Sequence, residues 1–251
     1  MKLSVCMATR NGGEYLREQL ASILKQLQPD DEIIISDDSS TDNTIDIISG
    51  FSDGRIRLFK NNTFYDPRSN FENALKNSSG DIIILSDQDD VWLDNKIAVI
   101  TDLFQKNRAP VYLVVLDADL IDATGAITEK SLFRKINAGK GLVKNIFDNT
   151  YVGCCMAFSR TLLEIALPFP KRIPMHDMWL GLLAELFGTV TFVPVKTMLY
   201  RRHATGLTDF RLQFQPIVQI KRRLFLTWCL VGRFFSRQRS GNGRGGSYVA
   251  H

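Results

Sequence analysis

Short apolar runs alternate with helix-patterned segments along the first 120 residues. The runs are rich in β-branched residues and end at polar turns, which predicts strands at 3–8, 32–36, 55–59, 81–86 and 112–116. Between them, apolar residues recur every three or four positions, which predicts helices at 14–26, 40–48, 70–77 and 95–105. Apolar strands that alternate with helices are typical of a parallel sheet covered on both faces. The sequence therefore predicts an α/β fold.

Three of the predicted strands run directly into polar, partly charged residues. These are Thr9, Arg10 and Asn11 after the first strand, Asp37 and Asp38 after the second, and the run Asp87 to Asp90 after the fourth. Ligands of doubly wound sheets bind beyond the carboxyl ends of the strands. We therefore expect one site at this edge of the sheet.

Beyond residue 120 the periodicity becomes irregular. The polar segment 124–145 is rich in glycine and lysine, which predicts a flexible loop over the site. The remaining pattern predicts strands at 152–158, 189–193 and 197–200, and helices at 161–165 and 176–187.

The net charge of +4 conceals a segregation of charge along the chain. No Asp or Glu follows Asp209, so the first 209 residues hold 23 basic and 27 acidic residues and the remainder holds eight basic residues. Segment 210–239 mixes seven of these cations with Leu, Phe and Trp, which predicts a basic amphipathic helix. It would contact an anionic membrane surface or pack on the body of the protein. Segment 240–251 is predicted to be disordered, and no nucleic-acid-binding module is recognisable.

The four cysteines form no CxxC pair. We expect free thiols in a reducing compartment rather than disulfides or metal ligands. The N-terminal segment lacks the pattern of a signal peptide, and no apolar stretch has the length of a membrane-spanning helix. These features predict a cytoplasmic protein.

The carboxylates Asp87, Asp89 and Asp90 repel one another unless something offsets their charge. A solvated helix cap is one explanation. A divalent cation such as Mg²⁺ or Mn²⁺ is another, and it would also neutralise a nucleoside diphosphate. The chain contains no GxGxxG or GxxxxGK[ST] loop, no HExxH motif and no GxSxG elbow. These absences argue against Rossmann, P-loop, zinc-hydrolase and α/β-hydrolase sites.

The motifs LSVCMATRN (3–11), EIIISDDSSTDNT (32–44) and DIIILSDQDDVW (81–92) resemble those of the family 2 inverting glycosyltransferases, which have the GT-A fold. The segment SDQDDVW (86–92) is similar to the corresponding segment in the bacterial surface-polysaccharide branch of the family. This resemblance implies a doubly wound, mostly parallel sheet with a smaller acceptor-side subregion. A single domain would span 1–209, with a nucleotide-sugar half at 1–120 and an acceptor half at 121–209.

The resemblance also implies a set of residues around a nucleotide-sugar donor. A carboxylate of Asp37 or Asp38 would accept a hydrogen bond from the N3–H of uracil or thymine, which favours UDP- or dTDP-sugars over GDP-sugars. Many members carry an Arg-Asn pair after the third strand, and Arg68 is the candidate to replace that Arg. Arg201 would contact the diphosphate. The expected donor residues are Ala8, Thr9, Arg10, Asp37, Asp38, Arg68, Asp87, Gln88, Asp90 and Arg201.

A metal ion and a catalytic base follow from the same resemblance. Asp89 stands at the metal-binding position of the family's DxD motif, Asp87 would bind metal or ribose, and His203 is a further candidate ligand or a structural residue. Asp177, at the start of a predicted helix, would deprotonate the acceptor hydroxyl, or would only cap that helix.

The family implies transfer of one sugar, because the QxxRW motif of processive synthases is absent. The expected acceptor is a polyprenyl-diphosphate-linked glycan, which would place the enzyme peripherally on the cytoplasmic face of the inner membrane. The alternatives are a sugar nucleotidyltransferase and a nucleotide-sugar-binding accessory protein without activity.

Overall fold

The computed structural model describes residues 1–202 and 216–242. The strands are β1 Leu3–Thr9, β2 Glu32–Asp37, β3 Ile56–Phe59, β4 Ile82–Ser86, β5 Val91–Trp92, β6 Tyr112–Ile121, β7 Ile127–Glu129, β8 Met156–Ser159 and β9 Thr189–Arg201. The helices are α1 Leu16–Leu24, α2 Thr44–Gly50, α3 Pro67–Lys76, α4 Lys96–Lys106, α5 Leu132–Lys135, α6 Leu142–Phe147, α7 Arg160–Ala166, α8 His176–Phe187 and α9 Pro216–Asn242.

The strands form one mixed sheet in the order β3-β2-β1-β4-β8-β6-β9-β5, with β7 paired to β6. The half containing β3, β2, β1 and β4 is parallel, as predicted. β8 runs antiparallel between β4 and β6, whereas β9 is parallel to β6. The predicted α/β architecture is therefore confirmed.

The parallel half of the sheet fixes the position of the site. β2 and β4 are buried along their whole length, and β1 is buried except at Ala8. Thr9 at the end of β1 is in register with Asp37 at the end of β2, and Met7 is in register with Ser86 at the end of β4. The polar residues that follow these strands consequently share one edge.

The prediction of a flexible loop at 124–145 is wrong. This segment contains β7, α5 and the start of α6, and a buried carboxylate organises part of it. Asp117 accepts hydrogen bonds from the Ser131 hydroxyl at 2.7 Å and from the Phe133 N–H at 2.9 Å. Ser131 also caps α5. Leu132 is buried in the core and Phe133 packs against it, but these contacts lie among polar hydrogen bonds and short helices, so hydrophobic periodicity does not reveal the segment.

Two further predictions are corrected by the strands of the second half. The strands expected at 189–193 and 197–200 are one strand, β9, because Pro194 occupies an irregularity at which the register against β6 shifts between Leu116 and Asp117. The strand expected at 152–158 begins only at Met156, because Gly153–Cys155 forms a 3₁₀ turn.

Helix α9 runs from Pro216 to Asn242: it begins within the segment 210–239, where a basic amphipathic helix is predicted, and it extends three residues into the segment predicted to be disordered. Residues 243–251 lie outside the described part of the chain. On its inner side, Leu226 and Leu230 are buried. Among the described helices, none has the length and apolar character to cross a membrane.

Candidate active site

Asp37 is a buried anchor at the carboxyl end of β2. Its carboxylate accepts hydrogen bonds from the Thr9 hydroxyl at 2.8 Å, from the Ser40 N–H at 2.9 Å and from the Ser40 hydroxyl at 2.5 Å. The residue is 1% exposed. Through these three hydrogen bonds the Asp37 carboxylate joins the end of β1 to the residues that follow β2. Asp37 therefore has a structural role, which is to hold the two strand ends together.

Asp38, the neighbouring carboxylate, has a different environment. Its Oδ1 accepts a hydrogen bond from the Phe64 N–H at 2.7 Å. The side chain thereby joins the end of β2 to the loop between β3 and α3. In the same loop, Tyr65 lies under the Arg10 guanidinium at 4.9 Å from the ring centroid. Of the two candidates for reading a nucleobase, Asp38 has the fewer internal donors.

Gln88 bridges the loops that follow β4 and β1. Its Oε1 accepts from the Arg10 N–H at 2.9 Å, and its Nε2 donates to the Arg10 carbonyl at 3.1 Å. Gly12 leaves room for the Gln88 amide, since a Cβ at position 12 would stand 2.4 Å from the Gln88 oxygen. The amide is thus engaged with main chain, and Gln88 positions Arg10, next to Ala8 and Thr9 at the end of β1.

Asp87, Asp90 and Cys154 form the cluster with metal-ligating potential at this edge. One ligand atom from each lies within 4.8 Å of the others. Asp90 is fully buried: its Oδ1 accepts from the Arg201 N–H at 3.0 Å, and its Oδ2 has no partner among the described residues. Two carboxylates with an unsatisfied oxygen suit a hard divalent cation, for which the Cys154 thiol is a less suitable ligand.

Burial and mutual repulsion both disfavour the charged forms of the carboxyls in this cluster. Burial, together with the charges of Asp89 and Asp177, raises the pKa of Asp87 to about 7. Burial and the charges of Asp87 and Asp89 likewise raise the pKa of Asp90. Asp89, expected to be the principal metal ligand, is therefore close enough to influence both carboxyls, although its side chain is not one of the three that converge.

Lys96, at the start of α4, is a buried cation that the sequence analysis missed. It is fully buried, and its Nζ donates to the Cys154 carbonyl at 2.8 Å and lies 4.4 Å from the Trp92 ring centroid. Burial lowers the pKa of the amine, whereas the nearby thiols and the charges of Asp90 and Asp87 act in the opposite direction. In the sequence it is one of several lysines that begin or end a helix, so nothing marked it.

Arg201 ties the end of β9 to three other segments instead of pointing freely at the site. Its guanidinium donates to the Asp89 carbonyl at 2.9 Å, to the Asp122 carbonyl at 3.1 Å and to the Glu18 carboxylate at 3.1 Å. It also lies 4.3 Å from the Tyr15 ring centroid. Arg201 is 6% exposed, so in this structure it holds the acidic loop in place.

Arg68 has a similar structural engagement near the start of α3. Its Nε pairs with the Asp66 carboxylate at 2.9 Å, and its Nη1 donates to the Ile173 carbonyl at 2.5 Å. These contacts tie α3 to the segment that leads into α8. The other late candidate, His203, lies outside the described residues.

Asp177 lies in the first turn of α8 and faces the acidic edge. Burial raises the pKa of its carboxyl to about 6, while hydrogen bonds from the main chain of Met178 and Gly153 oppose the rise. A Cβ at Gly153, the residue before Cys154 of the cluster, would stand 3.8 Å from the Asp177 Cβ, and the charge of Asp177 contributes to the raised pKa of Asp87. The contact with the helix N-terminus and a position beside the cluster therefore coexist.

His176 precedes Asp177 and is buried against Phe71, with ring centroids 4.1 Å apart. Burial lowers its pKa to about 3, so the imidazole is neutral at physiological pH. Gly153 allows this approach, because a Cβ there would stand 3.0 Å from His176 Nε2. The packing fixes the start of α8 and hence the direction of Asp177.

The model of glycosyl transferase family 2 matches residues 4–165, which include the ends of β1, β2 and β4. The chain belongs to this family. Curated relatives include the dTDP-rhamnosyl transferase RfbG of Shigella flexneri, 30% identical over 224 residues, which cover 83% of this chain and 75% of RfbG. Another is UDP-Glc:alpha-D-GlcNAc-diphosphoundecaprenol beta-1,3-glucosyltransferase WfgD of Escherichia coli, 28% identical over 185 residues, which cover 73% of this chain and 70% of WfgD.

The fold of this family 2 member is shared with solved structures. Residues 1–349 of S. aureus TarS, in complex with UDP-GlcNAc, match with a TM-score of 0.65 at 20% identity. The match covers 82% of this chain and 60% of that structure, so the chain spans about three fifths of its length. The GT-A-type fold and the family predicted from the sequence are thus confirmed.

Proposed function

We propose that this glycosyltransferase transfers one sugar, with inversion, from a UDP- or dTDP-sugar to a lipid-linked oligosaccharide in surface-polysaccharide biosynthesis. The observation that carries the proposal is the arrangement of Asp177 next to the Asp87–Asp90 edge. In this proposal, the catalytic base lies beside the diphosphate site. An inverting displacement needs the base and the leaving diphosphate to be positioned around the same anomeric carbon.

In this proposal, Asp38 recognises the nucleobase of the nucleotide-sugar donor. The Asp37 carboxylate accepts from three donors within the protein, whereas the Asp38 carboxylate accepts from the Phe64 N–H. A carboxylate accepts a hydrogen bond from the N3–H of uracil or thymine, and guanine presents a different edge. WfgD and RfbG carry UDP-Glc and dTDP-rhamnosyl in their names, and the TarS structure holds UDP-GlcNAc. These relatives support the same two nucleotides without selecting between them.

A divalent cation, Mg²⁺ or Mn²⁺, would be held by Asp87, Asp89 and Asp90, with His203 as a further candidate. When bound, it would neutralise the diphosphate leaving group. The buried, unpartnered Oδ2 of Asp90 fits this role. Arg201 would keep the acidic loop in place by the contacts described above, and Lys96 would hold the main chain of Cys154 beside it.

Asp177 would take the proton from the acceptor hydroxyl as its oxygen attacks the anomeric carbon from the face opposite the diphosphate. The new C–O bond forms while the bond to the diphosphate breaks, which inverts the anomeric configuration. A carboxyl whose pKa is raised to about 6 is still ionised at pH 7, and it is a stronger base than an ordinary Asp.

The acceptor is proposed to be a polyprenyl-diphosphate-linked glycan, since the name of WfgD specifies a diphosphoundecaprenol substrate. Such an acceptor would place the enzyme on the cytoplasmic face of the inner membrane as a peripheral protein. The basic C-terminal helix would contribute to that association.

The test of the base is the pH profile of kcat/KM combined with Asp177→Asn. Because the base must be unprotonated, kcat/KM is expected to rise about tenfold per pH unit up to an apparent pKa of about 6 and then to level off. Asp177→Asn should lower kcat by at least about 100-fold while UDP affinity changes little. The role would be excluded if kcat/KM of the native protein levelled off already near pH 4, or if Asp177→Asn remained active. Unchanged biological function of that variant would favour the accessory-protein alternative.

A further inference from the structure

One side of α9 presents a continuous stripe of apolar side chains to solvent. The stripe consists of Ile220, Leu224, Trp228, Val231 and Phe235, each of them 48–71% exposed. Successive members are three or four residues apart, which puts them on one face of a helix. Trp228 lies at the centre of this α9 stripe and has the largest exposed fraction of the five, 71%.

The opposite side of α9 is fixed to the body of the protein. Leu226 and Leu230 are 0% and 3% exposed. Arg233 donates to the carbonyls of Leu167 and Pro168 at 2.9 and 2.8 Å. The helix is therefore anchored on one side, and the α9 stripe points away from the protein.

Helix α6 extends the apolar surface next to α9. Val143 and Phe147 are 69% and 63% exposed. Arg223 of α9 donates to the Phe147 carbonyl at 2.8 Å and lies 5.0 Å from its ring centroid, which shows that the two helices are neighbours. We define the α6–α9 face as the α9 stripe together with Val143 and Phe147.

The apolar character of this face is concentrated rather than scattered. Among the described residues, 13 large apolar side chains are exposed, and eight of them lie on α6 and α9. Single exposed apolar residues are normal on a protein surface, whereas a contiguous group marks an interaction site.

Charge indicates which partner fits the α6–α9 face. The chain has no Asp or Glu after Asp209, and Lys221 and Arg222 are exposed beside the stripe. Two copies packed through this face would bring cationic helices together, which like-charge repulsion disfavours. An anionic lipid surface satisfies both the apolar stripe and the cations.

We propose that the α6–α9 face docks on an anionic lipid bilayer, with the α9 stripe entering the interface and Lys221 and Arg222 at headgroup level. This proposal rests on the proposed function, because a lipid-linked acceptor is what makes a membrane the relevant surface. The proposal also specifies which interaction contributes most to the binding. Arg223, Arg233 and Arg237 lie over aromatic rings of the protein, so the apolar stripe, more than the number of cations, carries the binding.

The first test measures co-sedimentation of the full chain with vesicles of phosphatidylglycerol and phosphatidylethanolamine, without donor or acceptor. The native protein should bind, and Trp228→Asn should bind at least about tenfold more weakly. The matched control is Ile127→Asn, which removes a 54%-exposed apolar side chain on β7 and should leave binding unchanged.

The second test uses the three tryptophans of the chain. Trp92 and Trp179 are 1% and 0% exposed, so a shift of tryptophan emission on vesicle addition reports on Trp228. The native protein should show a blue shift. Trp228→Phe should retain vesicle binding, because the ring remains apolar, and should lose that shift.

Two results would overturn the proposal. One is equal vesicle binding by the native protein and Trp228→Asn, including no binding by either. The other is a dimer in light scattering that Trp228→Asn dissociates, which would assign the face to a second copy. Asp177→Asn should bind vesicles like the native protein, so a loss of sugar transfer and a loss of docking are separately observable.

Discussion

At the residue scale, adjacent carboxylates of the same type have different tasks because their hydrogen-bond partners differ. Asp37 and Asp38 are both buried, yet Asp37 joins two strand ends while Asp38 contacts a single loop N–H. The motif in the sequence marks both residues equally. Only the donors supplied by Thr9 and Ser40 separate the anchor from the candidate base reader.

Substitution of each Asp by Ala tests this division. Asp38→Ala should raise the Kd for UDP by about 10- to 100-fold, because a hydrogen bond to a charged group contributes roughly 1.5–3 kcal/mol. Asp37→Ala should instead lower the free energy of unfolding by about 2–4 kcal/mol, since it leaves the donors of Thr9 and Ser40 unsatisfied.

The two variants serve as controls for each other, with UDP affinity measured by calorimetry and stability by urea unfolding. The assignment fails if Asp38→Ala binds UDP like the native protein while a folded Asp37→Ala has lost the affinity.

At the element scale, the end of β9 is fastened to the acidic loop through Arg201. The side chain contacts the loop that follows β4, the turn between β6 and β7, and α1, so it connects segments far apart in sequence. The sequence analysis expected it to bind diphosphate. The contacts give it a structural role that exists before any ligand arrives.

Arg201→Ala should therefore lower the free energy of unfolding by about 3 kcal/mol in the absence of ligand, because several hydrogen bonds from a buried charged group are lost together. Lys106→Ala is the control: its side chain is 74% exposed in an i,i+4 pair with Asp102, and its loss should cost less than about 0.5 kcal/mol. Urea unfolding of both variants checks the prediction. If Arg201 served the donor alone, stability without ligand would match the native protein and only UDP affinity would fall.

The elements also show where sequence patterns suffice. The parallel half was predictable because β1, β2 and β4 are continuous apolar runs whose ends carry the motif residues. Segment 124–145 was not, since the Asp117 carboxylate organises part of it through hydrogen bonds that no periodicity records. Lys96 was missed for a related reason: its burial beneath the acidic cluster results from the approach of Cys154, which is distant in sequence.

At the scale of the whole molecule, the described chain combines a parallel half that collects the donor-side carboxylates with a second half that brings Asp177 to the same edge. A separate surface, the α6–α9 face, lies on helices that pack against α8, the helix that begins at His176. One helix thus links the proposed base to the proposed membrane-docking surface. The family and fold are shared with polysaccharide glycosyltransferases.

The central claim is tested most directly by a donor panel with a polyprenyl-diphosphate glycan acceptor, in which the released nucleotide product is identified with and without EDTA. The account predicts release of UDP or dTDP, transfer of a single sugar with inverted anomeric configuration, loss of both with EDTA and recovery with Mg²⁺ or Mn²⁺. Release of pyrophosphate would indicate a nucleotidyltransferase. Full transfer in EDTA would contradict the role given to the Asp87–Asp90 carboxylates.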